Sequence, residues 1–327
     1  MKPIEKLKLG GHLLMARATR RNRPLVVGWA VTNRCDAACA YCDKRQDTDP
    51  GELDTRTALA LIDQLAAAGV QRLSISGGEP LLRDDLGRLI DHAVDRGIRC
   101  SLNTNGRLLP VRLPEIARIS ALTLSVDAPQ TTADQLRGPG SFQRSIKALE
   151  AARAYEIPVS LTAVLCKRSL DHVDELLELA RAERCVVTFQ PVDFLTSRRS
   201  RPHPQAPPVD RYRATIDRLI AARADGAPIG NTRHGLRHLR HWPGPYPITC
   251  AGGRITGNIE SDGKVYPCGR VVDDVEGHDA VRMGFAEAWR RTRPVDCGRC
   301  WCARRVELNL AHALSPGTLL ELLRSRI

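Results

Sequence analysis

Short apolar segments alternate with amphipathic segments over residues 25–192, and this alternation constrains the fold more than any other feature. The predicted strands are Leu25–Val31, Val70–Ser76, Ile98–Asn103, Leu122–Val126, Pro158–Val164 and Val186–Gln190. The predicted helices between them are Thr55–Ala68, Asp84–Arg96, Ser141–Tyr155 and Leu170–Ala182. Such alternation predicts a parallel sheet, and right-handed crossovers place every strand-to-helix loop at one rim. We therefore expect an α/β fold, a partial (β/α)6 TIM-like barrel with its chemistry at that rim.

Three cysteines with C-x3-C-x2-C spacing, Cys35, Cys39 and Cys42, follow the first predicted strand. Three thiolates can hold three irons of a 4Fe–4S cube and leave the fourth iron open, whereas cubes that only carry electrons usually have four cysteines. Structural zinc needs four ligands, usually in C-x2-C pairs, and no fourth ligand lies nearby in the sequence. The spacing favours a cluster with an open iron; a zinc loop and buried structural cysteines are the alternatives.

A second group of cysteines lies near the carboxyl end of the chain. Its members are Cys250, Cys268, Cys297, Cys300 and Cys302. The segments Ile255–Ile259 and Lys264–Tyr266 between the first two predict a hairpin turned at an Asp-Gly pair. Cysteines at a hairpin end and in a C-x2-C pair bind either zinc, as a ribbon, or a second iron–sulfur cluster. We expect a small α+β cluster-binding domain over residues 250–327 that ends in a helix.

The first cysteine loop, with Tyr41 directly before its last cysteine, resembles the signature of the radical S-adenosylmethionine (SAM) superfamily. A second element of that family, Ser76-Gly77-Gly78-Glu79-Pro80, follows the next predicted strand. The resemblance implies a 4Fe–4S cluster held by the three cysteines, with SAM on the open iron. It also implies reductive cleavage of SAM to methionine and a 5′-deoxyadenosyl radical, which abstracts hydrogen from a substrate.

The resemblance further implies a set of cofactor contacts. The expected residues are Tyr41, Gly77, Gly78, Glu79, Pro80, Asn105, Ser125, Asp127 and Arg137. The backbone of Tyr41 would meet the adenine, and the Gly-Gly-Glu-Pro turn would receive the methionine amino group. We expect glycines there because the ligand must approach the backbone closely. Helix capping is the alternative role for Ser125 and Asp127. Asp193, after the sixth strand, is the candidate base, and a solvated loop aspartate is the alternative.

The carboxyl-terminal cysteines resemble the SPASM/twitch group, in which C-x12-G-x4-C followed by C-x2-C carries an auxiliary 4Fe–4S cluster. The full SPASM pattern has more cysteines than the five in this segment, so the shorter twitch form with one auxiliary cluster fits better. Cys302 is then either an alternative fourth ligand or a free thiol.

Three functions are compatible with these motifs. The first is an enzyme that oxidises or rearranges a small molecule such as a sugar, an aminocyclitol or a lipid head group. The alternative is a peptide-modifying enzyme for peptide or protein maturation. Only 24 residues precede the first strand, fewer than the leader-binding domain of many such enzymes, which favours the small molecule. The third is a non-catalytic iron–sulfur accessory protein, which the intact SAM-binding turn disfavours. An enzyme would need a reductant such as flavodoxin or ferredoxin.

The net charge of +12 excludes few classes of binding partner. A basic surface suits an anionic substrate and allows peripheral membrane contact, whereas sparse aromatic residues argue against nucleic acid. No apolar run reaches ~18 residues and no secretory signal is present, so we expect a cytoplasmic protein without membrane-spanning helices. The expected division is a basic leader over 1–24, the barrel over 25–192, a bridge over 193–249 with one helix at Val209–Ala222, and the cluster domain over 250–327.

Overall fold

The computed structural model describes residues 22–42, 51–192, 203–295 and 297–313, and within them nine strands form one sheet. The strands are β1 (Val26–Ala30), β2 (Arg72–Ser76), β3 (Arg99–Thr104), β4 (Ala121–Ser125), β5 (Val159–Leu165), β6 (Val186–Pro191), β7 (Thr256–Ile259), β8 (Lys264–Tyr266) and β9 (His278–Asp279). The first six coincide with the six predicted strands to within two residues.

The strand order is β6-β5-β4-β3-β2-β1-β7-β8-β9. Strands β1 to β6 pair in parallel with their neighbours, for example with Val26 beside Arg72. This arrangement and the helices between the strands confirm the expected α/β partial barrel. The predicted carboxyl-terminal hairpin is present as β7 and β8, but it does not stand apart from the barrel. Strand β7 pairs in parallel with β1, with Thr256 beside Val26, so the hairpin extends the barrel sheet.

Helices connect the strands and pack on the outer side of the sheet. They are α1 (Thr55–Ala67), α2 (Leu86–Asp95), α3 (Leu109–Arg112), α4 (Gln130–Arg137), α5 (Ser141–Ala154), α6 (Val173–Ala182), α7 (Val209–Ala224), α8 (Arg233–Leu239), α9 (Ala280–Met283), α10 (Phe285–Arg291) and α11 (Ala303–His312). Apolar residues such as Leu61 and Leu65 of α1 and Trp29 of β1 are at most 2% exposed, and burial of such side chains drives the packing of this layer.

The inner face of the sheet differs sharply from the outer face. Because side chains alternate along a strand, every second residue points inward. The same register places apolar Ala121, Val164 and Val186 on this face, but most of its positions are polar: Ser74, Ser76, Ser101, Asn103, Thr123, Ser125, Ser160, Thr162, Thr188 and Gln190. Parallel barrels usually fill this space with branched apolar side chains. Short polar side chains, most of them only half-buried, leave the interior open here.

Helix α11 bridges the side of the barrel that the six-stranded sheet leaves open. The amide of Ala303 donates a hydrogen bond to Oε1 of Gln190 on β6, at 3.3 Å. On the other side, the guanidinium of Arg305 donates to the hydroxyl of Thr256 and, at 3.0 Å, to the carbonyl of Gly257, both on β7. The helix therefore joins the two strands that border the gap.

The predicted domain boundaries stay predictions. Most of the basic leader, residues 1–21, and residues 193–202 of the bridge lie outside the described part of the chain. The predicted bridge helix is present as α7, and α8 follows it, capped by Thr232, whose hydroxyl accepts from the amide of Gly235 at 2.9 Å. In the described ranges, none of the helices has the length and apolar character needed to cross a bilayer.

Candidate active site at the barrel rim and the adjoining cysteine cavity

The first cysteine loop follows β1 directly, at the rim where the parallel strands end. Cys35 and Cys39 are half-buried, and Cys42 is exposed. The amide of Ala40 donates a 2.8 Å hydrogen bond to the carbonyl of Leu136, which fixes the loop to α4. The structure thus places the three predicted ligands on one loop at the rim, with the last one exposed to solvent.

The two glycines of the Gly-Gly-Glu-Pro turn pack against the backbone that leads into the cysteine loop. The amide of Gly78 donates to the carbonyl of Thr32 at 2.8 Å. A Cβ on Gly77 would lie 2.3 Å from that carbonyl oxygen, and one on Gly78 would lie 2.2 Å from the carbonyl oxygen of Arg34. Close contact with the backbone before the cysteine loop therefore explains why both positions are glycine. Their expected role in admitting the ligand stays a prediction.

Glu79 links this turn to the end of β3. Its Oε1 accepts from the hydroxyl of Thr104 at 2.7 Å and from the amide of Leu81 at 3.1 Å, and its Oε2 accepts from the amide of Asn105 at 2.8 Å. The side chain is 1% exposed, and burial raises the pKa of the carboxyl group to about 7. Pro80 follows as the first residue of a short 3-10 helix. The Glu79 side chain therefore links the turn after β2 to the end of β3 by hydrogen bonds.

Asn105 connects the end of β3 to the cysteine loop. Its side-chain amide donates to Oδ1 of Asp36 at 2.8 Å, and its own Oδ1 accepts from the amide of Arg107 at 2.8 Å. These contacts bring Asn105 to the loop that holds the predicted cluster ligands. Its proposed contact with SAM remains a prediction.

The buried carboxylate of Asp127 forms a polar network beneath the loop with the half-buried side chains of Tyr41 and Arg137. The Tyr41 hydroxyl donates to Asp127, and Nε of Arg137 donates to the same carboxylate at 2.6 Å. The amide of Val164 donates to the other carboxylate oxygen at 2.8 Å, so Asp127, which is 0% exposed, has a partner at each oxygen. The guanidinium of Arg137 also points to Sγ of Cys39, at 3.7 Å. These residues hold the loop against β4 and β5, and their predicted contacts with SAM stay predictions.

The donor set of the loop fits a three-thiolate iron–sulfur cluster. Burial raises the pKa of the Cys35 thiol to about 11, and burial also raises the pKa of Cys39, with Arg137 opposing the rise. Such thiols need a metal to hold them as thiolates near neutral pH. Among the described residues, no three Cys, His, Asp or Glu side chains converge closely enough for one metal ion. The fit rests on the three thiols at the rim and on the arginine beside one of them.

Residues of the inner face were missing from the predicted site, apart from Ser125. Asn103 of β3 donates to the hydroxyl of Ser74 at 3.1 Å, and the hydroxyls of Thr123 and Ser160 lie 3.2 Å apart. Ser125 is half-buried beside Thr162 in the next strand. The sequence does carry a signal for this surface, because the strands alternate apolar and polar residues, whereas parallel strands buried on both faces are apolar throughout.

The five carboxyl-terminal cysteines line a single cavity beside α11, whose Arg305 and Asn309 also line it. The cysteines are Cys250, Cys268, Cys297, Cys300 and Cys302. They come from three separate parts of the chain, and Gly252, Trp301 and Arg305 line the same cavity. Five thiols around one space fit an auxiliary iron–sulfur cluster. Cys302 lies in the cavity with the other four, so its part as a ligand or free thiol stays open.

Asn309 of α11 joins two of the segments that carry these cysteines. Its side-chain amide donates to Sγ of Cys300 at 3.4 Å, and its Oδ1 accepts from the amide of Ala251 at 2.9 Å. A ring nitrogen of His238 lies 2.9 Å from the carbonyl oxygen of Cys300. Asn309 is 2% exposed and had no predicted role.

Asp193, the predicted base, lies outside the described residues.

Comparison with known proteins identifies a family and several relatives of this chain. The family profile described as "Radical SAM superfamily" matches residues 29–180. The AdoMet-dependent heme synthase of Methanosarcina barkeri is 29% identical over 296 residues, which cover 82% of each chain. The PqqA peptide cyclase of Ruegeria pomeroyi is 31% identical over 260 residues, which cover 75% of this chain and 67% of that protein. The mycofactocin maturase MftC of Mycobacterium tuberculosis is 27% identical over 296 residues, with 85% and 75% covered.

The fold is also similar to a solved structure. The crystal structure of Streptococcus suis SuiB bound to S-adenosylmethionine superposes with a TM-score of 0.66 and 17% identity, covering 85% of this chain and 68% of SuiB. This likeness concerns the fold. Together with the family profile and the sequence relatives, it leads to one conclusion: the chain belongs to the radical SAM superfamily.

Proposed function

We propose that this radical SAM enzyme modifies a peptide. The observation that carries the proposal is the 31% identity with the PqqA peptide cyclase over 260 residues. The similarity to a mycofactocin maturase points the same way. These relatives favour the peptide alternative over the small sugar, aminocyclitol or lipid substrate that the sequence suggested first. The open, polar barrel interior suits a peptide side chain that enters from the rim.

The chain uses a 4Fe–4S cluster and SAM, which together supply a 5′-deoxyadenosyl radical for hydrogen abstraction. In our proposal Cys35, Cys39 and Cys42 hold the cluster. Arg137 and Asp127 keep Tyr41 and the loop in place against the barrel, through the contacts described above. Rigid placement matters because a reacting hydrogen must lie close to the radical carbon.

The carboxyl-terminal cysteine cavity is proposed to hold an auxiliary iron–sulfur cluster. Cys250, Cys268, Cys297 and Cys300 are the proposed ligands, with Cys302 as the alternative to one of them. An electron acceptor at this position would make the net reaction an oxidation of the substrate. We further propose that an external protein such as flavodoxin or ferredoxin delivers the reducing electron.

A heme-type tetrapyrrole is the second candidate substrate. The similarity to an AdoMet-dependent heme synthase, which covers 82% of each chain, favours it. A tetrapyrrole and a peptide differ enough in size and chemistry that one assay separates them.

The test is the formation of 5′-deoxyadenosine by anaerobically reconstituted, reduced enzyme with SAM. Short peptides encoded beside the gene and iron porphyrins are added separately, and products are identified by mass spectrometry. We expect a peptide to raise 5′-deoxyadenosine formation and to change in mass. Stimulation and conversion of a porphyrin, with every peptide inert, would contradict the peptide function.

A further inference from the structure

Arg304, the second residue of α11, extends into the barrel interior. Its guanidinium donates a hydrogen bond to the hydroxyl of Thr123, at an inward position of β4. Thr123 lies two strands from β6, where the preceding residue, Ala303, contacts Gln190. The arginine side chain therefore crosses the inner face of β5, below the rim that carries the cysteine loop.

Unlike Arg83 and Arg137, Arg304 has no carboxylate partner among the described residues. Nε of Arg83 lies 2.6 Å from Asp85, and Nε of Arg137 lies 2.6 Å from Asp127. Within the described part of the chain, Arg304 has only the Thr123 hydroxyl as a hydrogen-bond partner, and the Cys302 thiol, rather than an Asp or Glu, is the ionisable group that acts on it. A guanidinium has five N–H donors, so most of its capacity is unused.

The side chain also remains accessible although it is placed inside the fold. Arg304 keeps an exposed surface, although the surrounding protein desolvates its guanidinium and so lowers its pKa. The hydroxyl of Ser160, 3.2 Å from that of Thr123, adds a second polar group beside it. A positive charge with free donors in an open, polar pocket is a site for an anion.

We propose that Arg304 binds a carboxylate of the substrate within the barrel. A guanidinium binds a planar carboxylate through two parallel hydrogen bonds, which fixes the direction of the group as well as its position. The proposal rests on the proposed peptide function for the source of the carboxylate, an acidic side chain or the peptide terminus. Propionate groups of a tetrapyrrole have the same chemistry.

The site is tested without any substrate by labelling with phenylglyoxal, which reacts with accessible guanidinium groups. The full-length reconstituted enzyme is labelled under anaerobic conditions, and modification of each arginine is measured by mass spectrometry. Glutarate serves as the carboxylate probe and dimethyl glutarate as its uncharged counterpart. Arg88, exposed on the outer helix α2, serves as the control arginine.

We expect glutarate to protect Arg304 and not Arg88, and we expect the diester to protect neither. Three outcomes would overturn the proposal: Arg304 that does not react in the absence of anions, equal protection by acid and diester, or full protection by SAM alone. The last result would assign Arg304 to the cofactor.

Kinetics with an active peptide give the second test. Arg304→Gln should raise KM for a peptide with its carboxylates free by about tenfold to a hundredfold, the range for a charge-assisted hydrogen bond, while kcat changes little. Arg304→Lys should recover part of the loss, and iron content should stay unchanged. Matching peptides with amidated carboxylates should not distinguish wild type from variant, and if they do, Arg304 has another role. If the enzyme acts on none of the peptides, the proposed peptide function is contradicted. The labelling result would still decide whether Arg304 binds a carboxylate.

Discussion

The two cysteine sites are built in opposite ways. The rim site takes its three thiols from one short loop, Cys35 to Cys42, that directly follows a strand. The second site collects thiols from residues 250, 268 and 297–302, which meet only because β7 pairs with β1 and α11 crosses the open side of the barrel. One site is therefore encoded locally, and the other depends on the topology of the sheet.

The two sites differ in the number of thiols rather than in their exposure. Each has one exposed cysteine, Cys42 at the rim and Cys297 in the carboxyl-terminal cavity, and the other thiols of both sites are half-buried. Three thiolates leave one iron of a 4Fe–4S cube open, whereas four can ligate every iron. We infer that the rim site exchanges a cofactor during turnover and that the carboxyl-terminal site keeps its cluster.

Removing thiols from each site should separate these roles most strongly. Changing Cys35, Cys39 and Cys42 together to Ala should reduce 5′-deoxyadenosine formation to background, because the cluster loses its ligands. Changing Cys250 and Cys268 to Ala should remove roughly half the iron, since one of two similar clusters is lost, and should leave SAM cleavage in place. Iron analysis and product assays check both, with Cys185→Ala as the matched control. Undiminished product in the triple variant would refute the rim assignment.

A methyl group at Gly78 should disturb the rim site alone. Gly78→Ala would bring a Cβ to 2.2 Å from the carbonyl oxygen of Arg34, and overpacking of this kind costs about 1–3 kcal/mol. We expect a lower free energy of unfolding together with reduced iron at the rim. Gly97→Ala is the control, because Gly97 has φ of 79° but no atom within 4 Å of the new Cβ. It should lose stability and retain iron. Equal iron content in both variants would count against the contact with the loop.

We predict that the Glu79 carboxyl group makes the free energy of unfolding depend on pH. Burial raises its pKa from 4.5 to about 7, so the folded state favours the protonated form. Its contribution to stability is complete below about pH 4.5 and is lost as the pH rises through 7. Between pH 5.5 and 8 the wild type should lose about 2 kcal/mol relative to Glu79→Gln, from about 1.4 kcal/mol per pKa unit. Chemical denaturation measures this, and parallel pH profiles for the two proteins would contradict it.

Substitution of Asn309 should have the smallest effect, and it should act on the carboxyl-terminal site. Asn309→Leu removes the N–H donor that lies 3.4 Å from Sγ of Cys300. Such donors stabilise the reduced, more negative form of a cluster, so the potential should fall. A hydrogen bond worth ~1 kcal/mol corresponds to a shift of tens of millivolts for one electron. Redox titration followed by electron paramagnetic resonance measures it. A shift of the rim cluster in place of the auxiliary one would contradict the assignment.

Much of the barrel and of the rim site was predictable from the sequence, because the motifs that form them are contiguous. The strand periodicity located β1 to β6, and the cysteine loop and the Gly-Gly-Glu-Pro turn each lie within a few residues of sequence. Helices α3, α4, α8, α9 and α10 were not predicted, because each has at most eight residues and a short apolar pattern.

Contacts between distant segments were not predictable. Arg304 and Thr123 are 181 positions apart, so nothing local indicates that they meet. The polar network of Asp127 with Tyr41 and Arg137 joins three separate elements, and sequence suggested ligand contacts or helix capping for its members. Likewise, the spacing of Cys300 and Cys302 could not select between them, since both reach the same cavity.

The central claim is that the rim thiols leave an iron open for SAM. Electron paramagnetic resonance of the reduced, reconstituted Cys250→Ala/Cys268→Ala variant tests it directly, because the rim cluster is then observed without the auxiliary one. We expect the spectrum to change when SAM is added. A spectrum that SAM leaves unchanged, from a centre fully ligated by the protein, would contradict the account.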